Sequence, residues 1–264
     1  MSDPFKIDGP TCISLSGGRT SAYMLRSVLA SHQGKLPDEA IICFANTGKE
    51  DEATLQFVQD CSEFWNVEVH WIEYRDNATG FAEVDFYSAS RAGEPYEAMV
   101  KKKQYLPNPV ARFCSHELKN KPIASFCGLD DDETMVGVRW DEPHRHAKMR
   151  KRGFYLPLID AKTTKAHVRE FWRNEKFDLA LPERGGVTNL GNCDLCFLKD
   201  FNIIMSNVRE KPERAMWWAR LEKERKATFH KDRPPYERMH QFALNQTDAF
   251  SYVEGESLPC FCGD

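Results

Sequence analysis

The most constraining feature of this chain lies near its start. A short apolar run, residues 11–15, stops at Ser16-Gly17-Gly18 and gives way at Thr20 to a helical pattern that continues to about Ser31. A second apolar run over 40–45 ends in Asn46-Thr47-Gly48, helical periodicity follows over 52–65, and a third run over 67–74 alternates as a strand does. Strands interleaved with helices of this length need crossover connections, which predicts an α/β fold with a Rossmann-like parallel sheet and helices on both faces. Residues 77–108 read as an irregular insertion, 115–126 as a helix, 134–138 as another strand and 165–174 as a helix. A loop rich in Gly and Asn fills 182–192, and 197–224 is again helical. With no repeat, low-complexity tract or linker, the economical division is one α/β domain over 1–196 with a C-terminal helical extension, 197–264, packed on it.

Composition bears on what such a fold can do. With 41% hydrophobic and 29% charged residues in 264, the chain carries no disorder signature. A net charge of −4 disfavours a protein whose main task is coating nucleic acid, although Lys101, Lys102 and Lys103 and the stretch 148–152 form local basic runs. No apolar run approaches the roughly 18 residues that span a bilayer, and residues 1–10 lack the apolar stretch of a signal peptide. The expected setting is the cytoplasm, with no membrane partner. In a reducing compartment the nine cysteines read as metal ligands or redox catalysts before disulfides.

The turn after the first strand has the chemistry of an anion site. Gly17 and Gly18 let the backbone approach an anion closely, Ser16, Thr20 and Ser21 add hydroxyl donors, and the following helix offers its free amides and positive end. The Gly-Lys-Ser/Thr ending of a Walker loop and the spaced glycines of a dinucleotide fold are both missing. The string Ser14-Leu15-Ser16-Gly17-Gly18-Arg19-Thr20-Ser21 resembles the Ser-Gly-Gly-x-x-Ser loop of PP-loop ATP pyrophosphatases, and the chain as a whole is similar to the phosphoadenylyl-sulfate (PAPS) reductase family of that superfamily.

Three further segments carry the resemblance. Asn46-Thr47-Gly48 stands where the family has Asp-Thr-Gly beside the nucleotide, and Ala53-Thr54 replaces its downstream Glu-Thr. The segment from Arg112 to Pro122 looks like the family's cysteine, Lys and Pro stretch, in which Arg112 and Lys119 supply positive charge for sulfate or phosphate. The run Gly137-Val138-Arg139-Trp140-Asp141-Glu142-Pro143-His144-Arg145 is similar to the Gly-x-Arg-x-x-Glu-Ser segment after a core strand, so Arg139 is expected at the nucleotide with Arg145 assisting.

The cysteines divide. Cys193-Asp194-Leu195-Cys196 has the spacing that lets two thiolates reach one metal or cluster. It resembles the Gly-Cys-x-x-Cys segment that ligates a [4Fe-4S] cluster in assimilatory adenylyl-sulfate reductases. Cys114 matches one member of the adjacent pair that supplies the other two ligands there. A fourth ligand is expected from Cys262 or Cys260; the alternatives are an open three-cysteine cluster, as in PP-loop tRNA thiolases, or zinc with His116 as a donor. Cys262-Gly263 also retains the Cys-Gly of the reductases' mobile catalytic tail, making Cys262 and Cys260 candidate nucleophiles. Cys12, Cys43, Cys61 and Cys127 sit in apolar patterns, as small hydrophobes do, and Trp172, Trp217 and Trp218 read as helix core.

These readings imply an enzyme of sulfur chemistry, an oxidoreductase or a sulfurtransferase. With adenylyl sulfate or its 3′-phosphate as ligand, a thiolate attacks the sulfate sulfur and a thioredoxin-like reductant completes the cycle. With ATP and Mg²⁺, a carbonyl oxygen of a nucleic-acid or small acceptor is adenylated, a sulfur donor displaces AMP, and pyrophosphate is released. The rival is a zinc-stabilised nucleotide-binding protein without catalysis. A homodimer is compatible with each.

Overall fold

In the computed structural model, which describes residues 3–184 and 187–245, the chain order is strand and helix in alternation. The elements are β1 (Thr11–Ser14), α1 (Arg19–Ser31), β2 (Ala40–Asn46), α2 (Glu52–Trp65), β3 (His70–Tyr74) and β4 (Phe81–Val84). There follow α3 (Glu94–Lys103), α4 (Phe113–Ser115), a π-turn (His116–Asn120), α5 (Lys121–Cys127) and β5 (Thr134–Val136). The remainder comprises α6 (Pro143–Lys151), α7 (Pro157–Asp160), α8 (Lys165–Asn174), the short strands β6 (Glu183–Arg184) and β7 (Val187–Thr188), α9 (Phe201–Glu210), α10 (Arg214–Arg225) and α11 (Tyr236–Leu244).

Five strands form one sheet in the order β4-β3-β2-β1-β5, with β1, β2, β3 and β5 parallel and β4 antiparallel at the edge. The predicted α/β class and mainly parallel sheet are therefore what the chain adopts. Alternation along the strands sorts the core. Ile13, Ile42, Phe44 and Trp71 face α1, α2 and α8 in the largest apolar cluster, while Cys12, Cys43, Ala45 and Ile72 face α5 in a smaller one. Since the chain runs from β1 to β4 in one direction and returns to β5 on β1's other side, the order reverses between β1 and β5. In open α/β sheets, ligands bind outside the carboxyl ends of the strands at such a reversal.

Two sequence expectations need correction. The stretch 77–108 is not irregular: it holds the edge strand β4 and helix α3, whose Tyr96, Met99 and Val100 are buried. The loop at 182–192 contains the antiparallel pair β6–β7. Helices α6 and α7 also lie outside the sequence reading, whereas α11 falls in the stretch read as a helical extension. Helices α2 and α8 begin and end where the periodicity put them, α2 capped by Asp51, which accepts from the Ala53 amide, and α8 by a reciprocal pair between Thr164 and His167.

A second core lies beside the sheet. It joins Tyr96, Met99 and Val100 of α3 to Cys114, Leu118, Cys196, Trp218, Phe229 and Tyr236. The C-terminal helices thus share a core with residues of the first 196, and Trp218 at its centre is fully buried, as the helix-core reading required. No helix among the described residues is long and apolar enough to cross a membrane.

Candidate functional site

The loop after β1 is built so that only glycine fits. Gly17 has φ +79°, and a Cβ there would stand 2.6 Å from Thr54 Cγ2 and 3.2 Å from Phe44 Cε2. Ser21 ties the loop to the helix: its hydroxyl accepts from the Ser16 amide at 3.0 Å, lies 2.9 Å from Ser16 Oγ and donates to the Gly18 carbonyl at 3.0 Å. Gly18 is the N-cap of α1 in extended conformation and provides no side-chain cap, so the first helical amides are left for another acceptor.

Gly137 closes over this turn. A Cβ on it would meet the Ser21 Cα at 3.0 Å, which is why the segment after β5 can lie directly against α1. Arg139, two residues on, donates from NH1 to Thr20 Oγ1 at 2.9 Å, and Asp141 holds its Nε at 3.0 Å. Arg145 donates to Glu142 Oε1 at 2.8 Å and is buried, with NH2 lacking a hydrogen-bond partner among the described residues.

Two hollows meet at Ser16. The larger, about 680 Å³ and open to solvent, is lined by Ser14, Ser16, Ala45, Lys119, Val136 and Phe154 among others. It sits at the ends of β1, β2 and β5, at the order reversal. The smaller, about 330 Å³, runs along Ser16, Gly17, Gly18 and Arg19 toward Gly191 and Asn192. Lys119, on the π-turn, reaches toward Glu50 Oε1 at 3.4 Å while forming part of the larger hollow's wall.

Several expected residues sit elsewhere. The Arg19 guanidinium is held by Asp178, Glu183 and the Leu179 carbonyl, so what it offers the loop is its backbone. Asn46 is fully buried, donating to Glu73 at 2.6 Å and to the Ser90 carbonyl at 2.8 Å. Neither it nor Thr47 nor Gly48 lines the two hollows. Arg112 donates to the Pro109 carbonyl at 2.7 Å and is likewise absent from both linings.

The Asn46-Thr47-Gly48 turn instead supports the cysteine loop. Thr47 donates from both N and Oγ1 to Glu50 Oε2, at 2.8 and 2.7 Å, and its hydroxyl lies 3.4 Å from Cys193 Sγ. Glu50 pairs with Cys193 in an isolated bridge, and the Asp194 amide donates to the Lys49 carbonyl at 2.8 Å. Asp194 then anchors the loop from within. Its carboxylate accepts from its neighbour Leu195 N at 2.7 Å and from Trp218 Nε1 at 3.0 Å, and lies 3.3 Å from Lys49 Nζ. Lys199 and Asn207 donate to the Asn189 and Asp194 carbonyls, closing the loop from the α9 side.

The three expected ligands border one core, but the cysteine sulfurs that gather within 4.8 Å of one another among the described residues are those of Cys12, Cys43 and Cys127 instead. Cys114 and Cys196 belong to the second core with Tyr96, and Cys193 packs against it. The Tyr96 hydroxyl is buried without a hydrogen-bond partner among the described residues. Burial, and then the neighbouring Cys114, Cys193 and Cys196, push its ionisation well up. Burial and the Glu50 carboxylate raise the Cys193 thiol likewise, against the opposing pull of Lys119 and Thr47. An orphaned donor beside three thiols suits a group that brings its own acceptors, as an iron–sulfur cluster brings sulfides. His116 is exposed, whereas Cys114 and Cys196 are buried and Cys193 is half-buried. Cys260 and Cys262 lie outside the described residues.

Sequence reasoning missed Tyr96, Lys49, Glu50 and Asp194. It also missed the gathering of thiols, Cys12, Cys43 and Cys127, whose sulfurs all lie within 4.8 Å of one another.

No protein-family model matches this chain. It is similar to a protein of Escherichia phage lambda named as the uncharacterized nin region protein ORF290, at 29% identity over 199 residues. That stretch is 71% of this chain and 65% of the relative, so the match spans just under two-thirds of the relative's length.

Proposed function

We propose that this chain is a PP-loop enzyme that seats the anionic end of an adenine nucleotide on residues 16–21 and performs sulfur chemistry beside it, as the resemblance to the PAPS reductase family implies. The observation that carries the reading is the glycine turn at the exit of β1, at the strand-order reversal, with a hollow on each side of Ser16. The larger hollow, at the ends of β1, β2 and β5 and walled by Ser14, Ala45, Lys119 and Phe154, lies where a nucleoside would be received. The narrower channel past Gly17 and Gly18 suits its phosphate or sulfate tail.

The amides that open α1 and the helix's positive end stabilise that negative charge. Lys119 adds a cation from the wall of the larger hollow. Arg139 holds the Thr20 hydroxyl in place and is itself restrained by Asp141. Cys114, Cys193 and Cys196 would hold an iron–sulfur cluster, with the fourth donor from Cys262 or Cys260. Such a group, when bound, supplies electron-transfer or sulfide-carrying chemistry.

Two reactions fit the nucleotide site. In the first, a cysteine thiolate attacks the sulfate sulfur of a sulfonucleotide; an S–S bond forms, the sulfur–oxygen bond to the nucleotide breaks, and the nucleotide leaves with that electron pair. A thioredoxin-like dithiol then reduces the thiosulfonate. In the second, ATP with Mg²⁺ adenylates an acceptor's carbonyl oxygen and loses pyrophosphate. An observation favours a nucleic-acid acceptor for the second. His144, Lys148 and Lys151 are exposed at helical spacing along α6, directly after Arg139 and the half-exposed Trp140, and cations beside an exposed ring suit phosphates and unstacked bases.

Equilibrium dialysis with ATP, adenylyl sulfate and its 3′-phosphate tests the reading, with saturable binding expected for at least one and lost on Gly17→Val. Folded protein with no affinity for any of them refutes it. Pyrophosphate release with a nucleic-acid acceptor selects the second reaction; binding of a sulfonucleotide alone selects the first.

A further inference from the structure

Cys12, Cys43 and Cys127 were expected to be separate apolar fillers, and the strand register shows why they are not. In the β1–β2 pair Cys12 stands opposite Ile41, so Cys43, two residues further along, projects from the same face. Helix α5 packs across that face and ends at Cys127, where Gly128 in the left-handed region turns the chain away. The result is three sulfurs within 4.8 Å of one another, with Cys43 and Cys127 at 3.4 Å. Cys12 and Cys43 are fully buried, and Cys127 is half-buried, giving the group a way in.

A fourth donor projects from the same face, with its ring nitrogens more than 4.8 Å from at least one of the three sulfurs. His70 of β3 is the register partner of Cys43 and so projects from the same face. Its ring lies 5.0 Å from that of Phe126, the residue before Cys127. His70 Nδ1 is 2.6 Å from Glu83 Oε1. A carboxylate on one ring nitrogen fixes the tautomer and leaves Nε2 with its lone pair, which is the usual support of a metal-bound histidine.

We propose that Cys12, Cys43 and Cys127 form a three-thiolate site for a thiophilic divalent cation of the zinc class, separate from the Cys114, Cys193 and Cys196 set, which His70, oriented by Glu83, completes by a movement of its ring. The spacing is right for it. A zinc–sulfur bond of about 2.3 Å in a tetrahedron separates sulfurs by about 3.8 Å, between the 3.4 Å pair and the 4.8 Å limit found. Thiolate and imidazole select zinc over the hard cations that prefer oxygen. On binding, three metal–sulfur bonds form and the thiol protons pass to solvent, with no change of oxidation state. The site would pin β1, β2 and β3 to the end of α5, whose Ile123 and Ala124 line the larger hollow. It does not depend on the nucleotide reading.

The test uses the full chain with Cys114, Cys193 and Cys196 replaced by serine, titrated with Co²⁺ as a spectroscopic probe and then Zn²⁺. One equivalent of tetrahedral cobalt with thiolate charge-transfer absorption, displaced by zinc, is expected. Cys127→Ala, at a half-buried position that should tolerate it, should weaken binding at least about a hundredfold, and His70→Gln about tenfold or more with an altered cobalt spectrum. Cys61→Ala, in the core of α2, should leave binding unchanged. No tetrahedral cobalt, or undiminished binding in Cys127→Ala, overturns the site; an unchanged spectrum in His70→Gln overturns the role of His70. Formation of a Cys43–Cys127 disulfide in air, with no cobalt bound after reduction, would assign the cluster to redox chemistry and also overturn the proposal.

Discussion

The glycine loop and the cysteine loop are held in place by different means. The first is a matter of backbone: Gly17 at φ +79° and Gly137 against Ser21 fix a path that a Cβ would block, and the sheet behind supplies rigidity. The second is held by side chains: Asp194 within it, Lys49 and Lys199 from neighbouring loops, and Asn207 and Trp218 from α9 and α10. A site fixed by backbone fails when a side chain is added; a site fixed by side chains fails when one is removed. The two failures should be separable, because each loop belongs to its own core.

The sharpest break in the second region is Trp218→Ala. The indole is fully buried, stacks on Tyr236 with centroids 5.4 Å apart and donates to Asp194. Its removal leaves a cavity and takes one of the donors from the Asp194 carboxylate, for an expected loss of about 3–5 kcal/mol in urea denaturation. Cysteine-bound metal should fall, while nucleotide affinity in the folded fraction holds. The converse is Gly17→Ala. A left-handed backbone angle on a residue with a side chain, together with the 2.6 Å approach to Thr54 Cγ2, predicts about 2–4 kcal/mol. Nucleotide affinity should drop at least tenfold with metal content intact, and a variant losing both together would mean that the two loops form one unit. A smaller effect is expected from Asp194→Ala. It strands the Trp218 indole and Leu195 amide donors, at about 1–3 kcal/mol, and should lower metal retention before it lowers the denaturation midpoint.

The same contrast decides what could be read from the sequence. Backbone-determined parts announce themselves locally. The apolar run into Ser16-Gly17-Gly18 located the loop, and periodicity bounded α2 and α8, whose caps Asp51 and Thr164 sit immediately before them. Side-chain-determined parts do not. Asp194 is one acid between two cysteines, and nothing near it in sequence says that Trp218 and Lys49 will meet it. Helix α3 begins at Glu94-Pro95 and ends in three lysines, so Tyr96, Met99 and Val100 were too few apolar positions to signal a helix. Asn46 was expected beside a nucleotide yet turns inward to Glu73 and Ser90, because an amide can satisfy a buried carboxylate and a carbonyl at once. Cys12 and Cys43 become neighbours only when the register is known; each alone is what a buried strand would carry.

The least of the expected effects concerns protons in the second core. Glu222 of α10 is buried, and its oxygens accept from the Phe229 amide at 3.0 Å and the Tyr236 amide at 2.8 Å. Burial raises its ionisation above the ordinary glutamate value, and the two amides only partly offset this. In the unfolded chain Glu222 releases its proton near the ordinary value, 4.5, whereas the folded chain keeps it to higher pH. Between those points the folded state binds more protons, so stability falls as pH rises, by at most about 1.4 kcal/mol per pH unit for a single group. Below the unfolded value both states are protonated and the penalty is absent. Glu222→Gln cannot ionise, so its stability curve should be flatter than that of the parent from pH 4.5 upward, though lower overall because its NH₂ faces an amide donor. Urea midpoints at successive pH values measure the difference. Parallel curves would mean that Glu222 is ionised in both states across the range, and that the helical core tolerates a buried carboxylate on two amides alone.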